Sequence, residues 1–167
     1  MNAATKKIAY AAVLTAMTAV MTTFSIGLPG GGYIHLGDAV IFLACLILPT
    51  GYAVFSAGAG SMIADLILAP QYAVATLIIK AVMALIVCLL FKSGIKPLND
   101  LKPVVKTAVI FLIASLVMQV LYFVYELFLN DFVVAGGVWH VLTGLLQTVF
   151  SVPLGVLTAK YSDKIKL

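Results

Sequence analysis

Lys80 is the residue whose chemistry most needs accounting for. It lies about eight residues into an otherwise apolar segment, roughly 12 Å of helix at 1.5 Å per residue. An ammonium at that depth requires an opposite charge or a water-filled cavity, which makes it a functional-site candidate. Tyr72, Thr76 and Lys80 are spaced four and four, so they share one helical face. The preceding segment offers Ser61 and Asp65, again four apart. An Asp65–Lys80 ion pair is therefore expected, either pinning two helices together or belonging to a ligand site. Two later segments carry comparable stripes. Ser115, Gln119, Tyr122 and Glu126 step by four, three and four; His140, Thr143, Gln147 and Ser151 step by three, four and four, with Trp139 alongside. A lone Gln in a membrane helix bonds to a neighbouring helix, and a lone His or Trp at its end is an interface anchor. Four stripes together describe more: an amphiphilic pocket with aromatic faces for stacking and a few polar groups to orient a ligand. The simplest pose stacks a ring on Trp139 or Tyr122 and holds its polar edge with Glu126 or His140.

A second polar cluster stands between the first two apolar runs, where Gly30, Gly31 and Gly32 precede Tyr33, His35 and Asp38. Glycines free the backbone for φ > 0 and close approach, and polar groups in such a place must reach water, protein or ligand. The stretch is either a lid over the pocket or a flexible outer turn. Enzyme chemistry is not expected. His35 and Asp38, three apart, could form an acid–base pair, but no nucleophile or oxyanion hole accompanies them. There is no G-x-x-x-x-G-K-[ST] phosphate loop and no H-E-x-x-H or Cys/His cluster, so neither ATP hydrolysis of that kind nor a metal site is expected. No cofactor is implied. Cys45 and Cys88 lie in apolar runs and read as packing residues.

The elements that position these residues follow from composition. Of 167 residues 63% are hydrophobic and 10% charged, with a mean hydropathy of +1.18, and that much apolar surface requires lipid as solvent. The apolar runs are continuous rather than alternating, which favours helices over a membrane barrel. The expected fold is all-α: a single membrane-embedded domain, residues 1–167, of six transmembrane helices at about 6–26, 38–48, 52–68, 72–91, 104–129 and 138–161. The first run follows lysines as a signal peptide would, but its length and the five runs after it predict an uncleaved span. Pro49 and Gly51, then Pro70, mark turns. Ser56, Ala57, Gly58, Ala59, Gly60 and Ser61 suit close helix contact in lipid. All ten basic residues are lysines. Lys6 and Lys7; Lys92, Lys96, Lys102 and Lys106; and Lys160, Lys164 and Lys166 fall on one side of six spans, which the positive-inside rule makes cytoplasmic, with both termini. Asp38, Asp65, Glu126 and Asp131 then lie toward the exterior, and so does the glycine-rich stretch. Only Lys80 breaks the pattern. The lysines are a topology signal, not a nucleic-acid patch. On span one, Ala9, Ala12, Ala16 and Ala19 form a small-residue face, suited either to packing inside the bundle or to docking another membrane protein. A scaffold subunit whose stripes only hold helices together remains the alternative to a binding protein.

Three stretches, Gly32-Tyr-Ile-His-Leu-Gly-Asp-Ala-Val-Ile-Phe-Leu-Ala44, Gly58-Ala-Gly-Ser-Met-Ile-Ala-Asp65 and Tyr72-Ala-Val-Ala-Thr-Leu-Ile-Ile-Lys80, resemble the substrate-specific S components of energy-coupling factor (ECF) vitamin transporters. The likeness is greatest to the riboflavin- and hydroxymethylpyrimidine-type branch, over spans one to four by motif and spans five and six by topology. His35 stands where that branch's pattern has Asn, and Val74 where it often has Pro. The resemblance implies a multi-pass subunit of a prokaryotic plasma membrane with an outward-facing site under the first outer loop. It implies docking through Ala12 and Ala16 on a transmembrane T subunit, and two separate cytoplasmic ATPases. The expected ligand is a small heterocycle, hydroxymethylpyrimidine or a pyridoxine-like compound, with riboflavin and pantothenate as alternatives. The expected contacts are Tyr33, His35, Asp38, Asp65, Thr76, Lys80, Gln119, Tyr122, Glu126, Trp139, His140, Thr143 and Gln147.

Overall fold

The first apolar run becomes helix α1 (Ala3–Thr23), opened by Asn2, whose side chain accepts from the Thr5 backbone N–H at 2.8 Å, a side-chain N-cap. The helix stops three residues short of the expected span. Ser25–Gly27 form strand β1 instead, antiparallel to β2 (Tyr33–His35), with Ile26 opposite Ile34. A Thr-Thr-Phe-Ser-Ile run is rich in side chains that favour extended backbone, and the following glycine ends it. A hairpin this short is marginal alone, and this one is tied down: the Leu36 N–H donates to the Met21 carbonyl at 3.3 Å. Among the described residues the fold is thus helical apart from one small hairpin.

Helix α2 (Gly37–Ile47) and helix α3 (Thr50–Leu68) meet at Pro49; a 3-10 turn (Pro70–Tyr72) leads into α4 (Ala73–Lys92). Among the described residues the lysine-rich connection holds the one-turn helix α5 (Lys96–Asn99) before α6 (Pro103–Leu129), and α7 (Val134–Ser162) is the last element. The structure is a computed structural model that describes residues 2–28, 33–93, 95–129 and 134–162. Gly30, Gly31, Gly32, Asp131, Lys164 and Lys166, which the lid and topology arguments invoked, lie outside the described residues.

Among the described residues, four helices are long and apolar enough to cross a bilayer: Thr50–Leu68, Pro70–Lys92, Pro103–Leu129 and Gly137–Ser162. Their outward side chains, among them Phe55, Val74, Val120, Phe128 and Val149, are exposed and apolar, as lipid solvent requires. α1 has the length, about 31 Å for its 21 residues, but Lys6, Lys7 and its threonines dilute its hydropathy. α2, with 11 residues, spans only about 16 Å. Small residues of α3 do what their size suggests. A Cβ on Gly58 would come within 2.7 Å of the Leu77 carbonyl on α4, and one on Gly60 within 2.6 Å of the Thr15 carbonyl on α1.

The interior divides in two. Toward the lysine-rich end it is dry and aromatic: Phe42 of α2 and Phe111 of α6 stack at 4.1 Å and 4° between planes, packed with Ile41, Met83, Val87 and Ile110, all without solvent exposure. Buried Cys45 and Cys88 are unbridged and lie in the same cluster. Toward the hairpin end the interior is polar and open.

Candidate functional site

At the hairpin end, α3, α4, α6 and α7 diverge around a cavity of about 480 Å3, within the range of roughly 300–1,000 Å3 typical of small-molecule sites. Of the thirteen expected contacts, twelve line it. Tyr33 and His35 come from β2, Asp65 from α3, Thr76 and Lys80 from α4. Gln119, Tyr122 and Glu126 come from α6, and Trp139, His140, Thr143 and Gln147 from α7. Asp38 is the exception, lying behind Lys80 and 1% exposed.

The expected Asp65–Lys80 pair does not form. Lys80 Nζ instead donates to Asp38 Oδ1 at 2.5 Å and to Met118 Sδ at 3.0 Å, and lies 5.8 Å from the centroid of the Tyr122 ring, in reach of a cation–π contact. Asp65 accepts a hydrogen bond from the Tyr33 hydroxyl. Helical spacing set Asp65 and Lys80 on facing stripes. The ammonium reaches Asp38 instead, at the start of α2, where the two charges are buried together. Glu126 is held in the same way as Asp65: its Oε1 accepts from the Tyr72 hydroxyl and lies 3.1 Å from His140 Nδ1. Thr76 and Tyr122 share a hydrogen bond of 2.9 Å, and Thr143 donates to the His140 carbonyl.

Gln147 and His35 form a structural clasp. The His35 N–H donates to Gln147 Oε1 at 2.8 Å, and Gln147 Nε2 donates to the His35 carbonyl at 2.7 Å. The side-chain amide thereby pairs with β2 as a neighbouring strand would, fastening the hairpin to α7, and reaches Asp38 Oδ2 at 3.3 Å. The Gly37 N–H donates to His35 Nδ1 at 3.0 Å, so the ring is a neutral acceptor at that nitrogen. Burial lowers the His35 pKa to about 4; the Asp38 carboxylate opposes the shift and the Lys80 ammonium adds to it. Burial and the Asp65 carboxylate both push the Tyr33 phenol up.

The aromatic wall consists of Tyr122 and His140, 4.8 Å apart at 28°, with Tyr72 6.0 Å from His140 at 30°. Trp139 is 39% exposed and stands at the cavity's rim. Spacing pointed to Ser61 and Tyr72 as stripe members, and both line the cavity. It missed Thr22, Gln71, Met118 and Gly144. Met118 adjoins the Gln119 stripe and looks like core; a glycine such as Gly144 carries no polar signal at all. Of the alanine face, Ala9, Ala12 and Ala16 are exposed, whereas Ala19 is 8% exposed and buried in the bundle. The face turns inward where α1 nears the hairpin. Among the described residues no cluster of His, Cys, Asp and Glu could hold a metal ion.

Residues 2–163 match the family model described as the S component of the ECF-type riboflavin transporter. No curated protein matches the chain significantly. With nearly the whole chain matched, this protein belongs to the ECF-type riboflavin transporter S-component family, the membrane-embedded substrate-binding subunits of vitamin transporters, which are not enzymes.

Proposed function

We propose that the cavity binds riboflavin for import. The observation that carries this reading is the aromatic wall of Tyr72, Tyr122 and His140, in which each tyrosine ring lies within 30° of the His140 ring, beside a cavity of about 480 Å3. A flat, multi-ring heterocycle can stack there, and the family's description points to the same ligand. A hydroxymethylpyrimidine or pyridoxine ring would meet the same faces but leave most of the space unfilled. Charge separates the remaining alternatives. Two carboxylates, Asp65 and Glu126, face the cavity against one ammonium, Lys80, which Asp38 already neutralises. An anionic ligand such as pantothenate or a flavin phosphate is therefore disfavoured.

The chain sits in the plasma membrane of a prokaryote as six helices with both termini cytoplasmic, α1 and α2 completing the four long spans. The lysine distribution supports that orientation. The hairpin covers the outer mouth of the site. Exposed Ala9, Ala12 and Ala16 dock on a transmembrane T subunit that two cytoplasmic ATPases energise, with Ala19 packing inside.

Quenching of flavin fluorescence by the purified chain tests the ligand directly. Riboflavin is expected to bind at least tenfold more tightly than flavin mononucleotide, hydroxymethylpyrimidine, pyridoxine or pantothenate. Tighter binding of hydroxymethylpyrimidine would reinstate the smaller ring, and binding of none would remove the vitamin assignment. Replacing Ala12 and Ala16 with Trp should leave riboflavin affinity unchanged and stop uptake by cells; normal uptake would rule out the docking face.

A further inference from the structure

The charged groups on the cavity wall are already taken by protein partners. Asp65 accepts from Tyr33, Glu126 from Tyr72, and Lys80 is paired with Asp38. Gln119 is different. It is 3% exposed and lines the cavity, yet neither its Oε1 nor its Nε2 has a hydrogen-bond partner among the described residues. A buried amide left unpaired at both ends destabilises a fold, and a Leu of similar size would avoid that loss. Thr22 and Ser61 also line the cavity with unpartnered hydroxyls, but a hydroxyl can rotate toward whatever is near. The Gln119 amide plane has less freedom. It lies in a notch of α7 at Gly144, where any Cβ would overlap its Oε1, Cδ and Nε2. The Gly144 carbonyl does not hold it: that oxygen accepts from Thr148 Oγ1 at 2.9 Å, and Gln119 Nε2 donates to no described residue.

We propose that Gln119 is the specificity-determining residue of this site, reading a ligand edge that carries an N–H beside a C=O, with Gly144 as its positioning residue. A carboxamide presents one acceptor and two donors in a plane, so a cyclic lactam or imide pairs with it through two parallel hydrogen bonds. A ring without that edge stacks on the same wall and leaves the amide unpaired. The proposal rests on the reading of the cavity as a flavin site, and riboflavin carries such an imide.

A double-mutant cycle tests it, with riboflavin and its N3-methyl derivative as probes and fluorescence quenching as the readout. In the wild-type chain, methylation of the imide nitrogen should weaken binding at least tenfold. Gln119→Leu should bind riboflavin at least tenfold more weakly and respond little to methylation. Without ligand it should melt at or above the wild-type temperature, because an unpaired amide has been removed. Gly144→Ala, which keeps Gln119 but displaces its amide, should weaken riboflavin binding with the melting temperature unchanged. Wild-type affinity in Gln119→Leu, or an equal methylation penalty in both chains, overturns the role of Gln119 and leaves the flavin assignment standing. Wild-type protein that binds neither flavin overturns both.

Discussion

Gly144 and Gly155 lie eleven positions apart on α7, about three turns, and so on the same face. They meet opposite kinds of neighbour. A Cβ on Gly155 would approach Phe42 to 2.7 Å and Phe111 to 2.9 Å, in the stacked aromatic core; one on Gly144 would overlap the unpaired amide of Gln119. At the lysine-rich end the face completes a packed interior that leaves no room to adapt. At the hairpin end it makes way for a polar group without a hydrogen-bond partner among the described residues. One helix face thus serves stability at one end and recognition at the other. What separates the two ends is whether the opposing side chains already have partners.

Lys80 and Asp38 stand at the border between these ends and give the largest expected effect. Both are nearly inaccessible to solvent, 4% and 1%. Lys80→Ala leaves a carboxylate buried without its counter-charge, which costs about 3–5 kcal/mol. Lys80→Met combined with Asp38→Asn removes both charges and should recover most of that loss, because a buried pair contributes little beyond its own desolvation. Melting of the detergent-solubilised proteins distinguishes the cases. If Lys80→Ala melts at the wild-type temperature, the pair does not hold α4 to α2, and Lys80 serves the ligand alone.

The next effect separates the two glycines directly. Gly155→Ala should destabilise the fold by about 1–3 kcal/mol, as overpacking of a filled core does, because neither stacked ring has free space to move into. Riboflavin affinity, corrected for the fraction folded, should not change. Gly144→Ala, by contrast, meets only the far end of a flexible side chain that borders a cavity, so its melting temperature should stay put. Comparable melting losses in both variants would erase the distinction between a packed end and an open one.

Much of this organisation was legible in the residues, and the reason is the solvent. In lipid, continuous apolar runs mark the helices and any interrupting charge needs a purpose, so the polar stripes on α4, α6 and α7 stood out by spacing alone. Spacing reports which face a side chain occupies, not which of several facing groups it reaches. Asp65 and Asp38 were both available to Lys80, and only the packing of α2 decides for Asp38. Gln147 read as a ligand group because helical periodicity carries no sign that its amide would pair with the backbone of β2. The hairpin itself replaced the end of the first expected span, since three residues are too few to show an alternating pattern. Gly144 was invisible for a simpler reason: its contribution is the absence of an atom.

The smallest expected effect concerns the clasp that closes the open end. His35 has an ordinary pKa of 6.5 that the fold lowers to about 4, so the unfolded chain binds the proton more readily than the folded one. Above pH 6.5 both states are neutral and stability does not depend on this ring. As pH falls from 6.5 toward 4 the unfolded state gains a proton that the native state refuses, and stability declines through that window. Between pH 7 and pH 5 the loss should be on the order of 1–2 kcal/mol. Native protonation, reached near pH 4, would also end acceptance of the Gly37 N–H at Nδ1 and set a cation beside Lys80. His35→Asn cannot titrate and keeps a side-chain acceptor near the Gly37 N–H, so its melting temperature should be flatter from pH 7 to pH 5. The backbone pairing of residue 35 with Gln147 uses no His35 side-chain atom and should survive the substitution, leaving riboflavin affinity at pH 7 within about threefold of wild type. An equal pH slope in both proteins would show that the acid sensitivity does not arise at residue 35, and would make the clasp at the open end independent of the histidine ring.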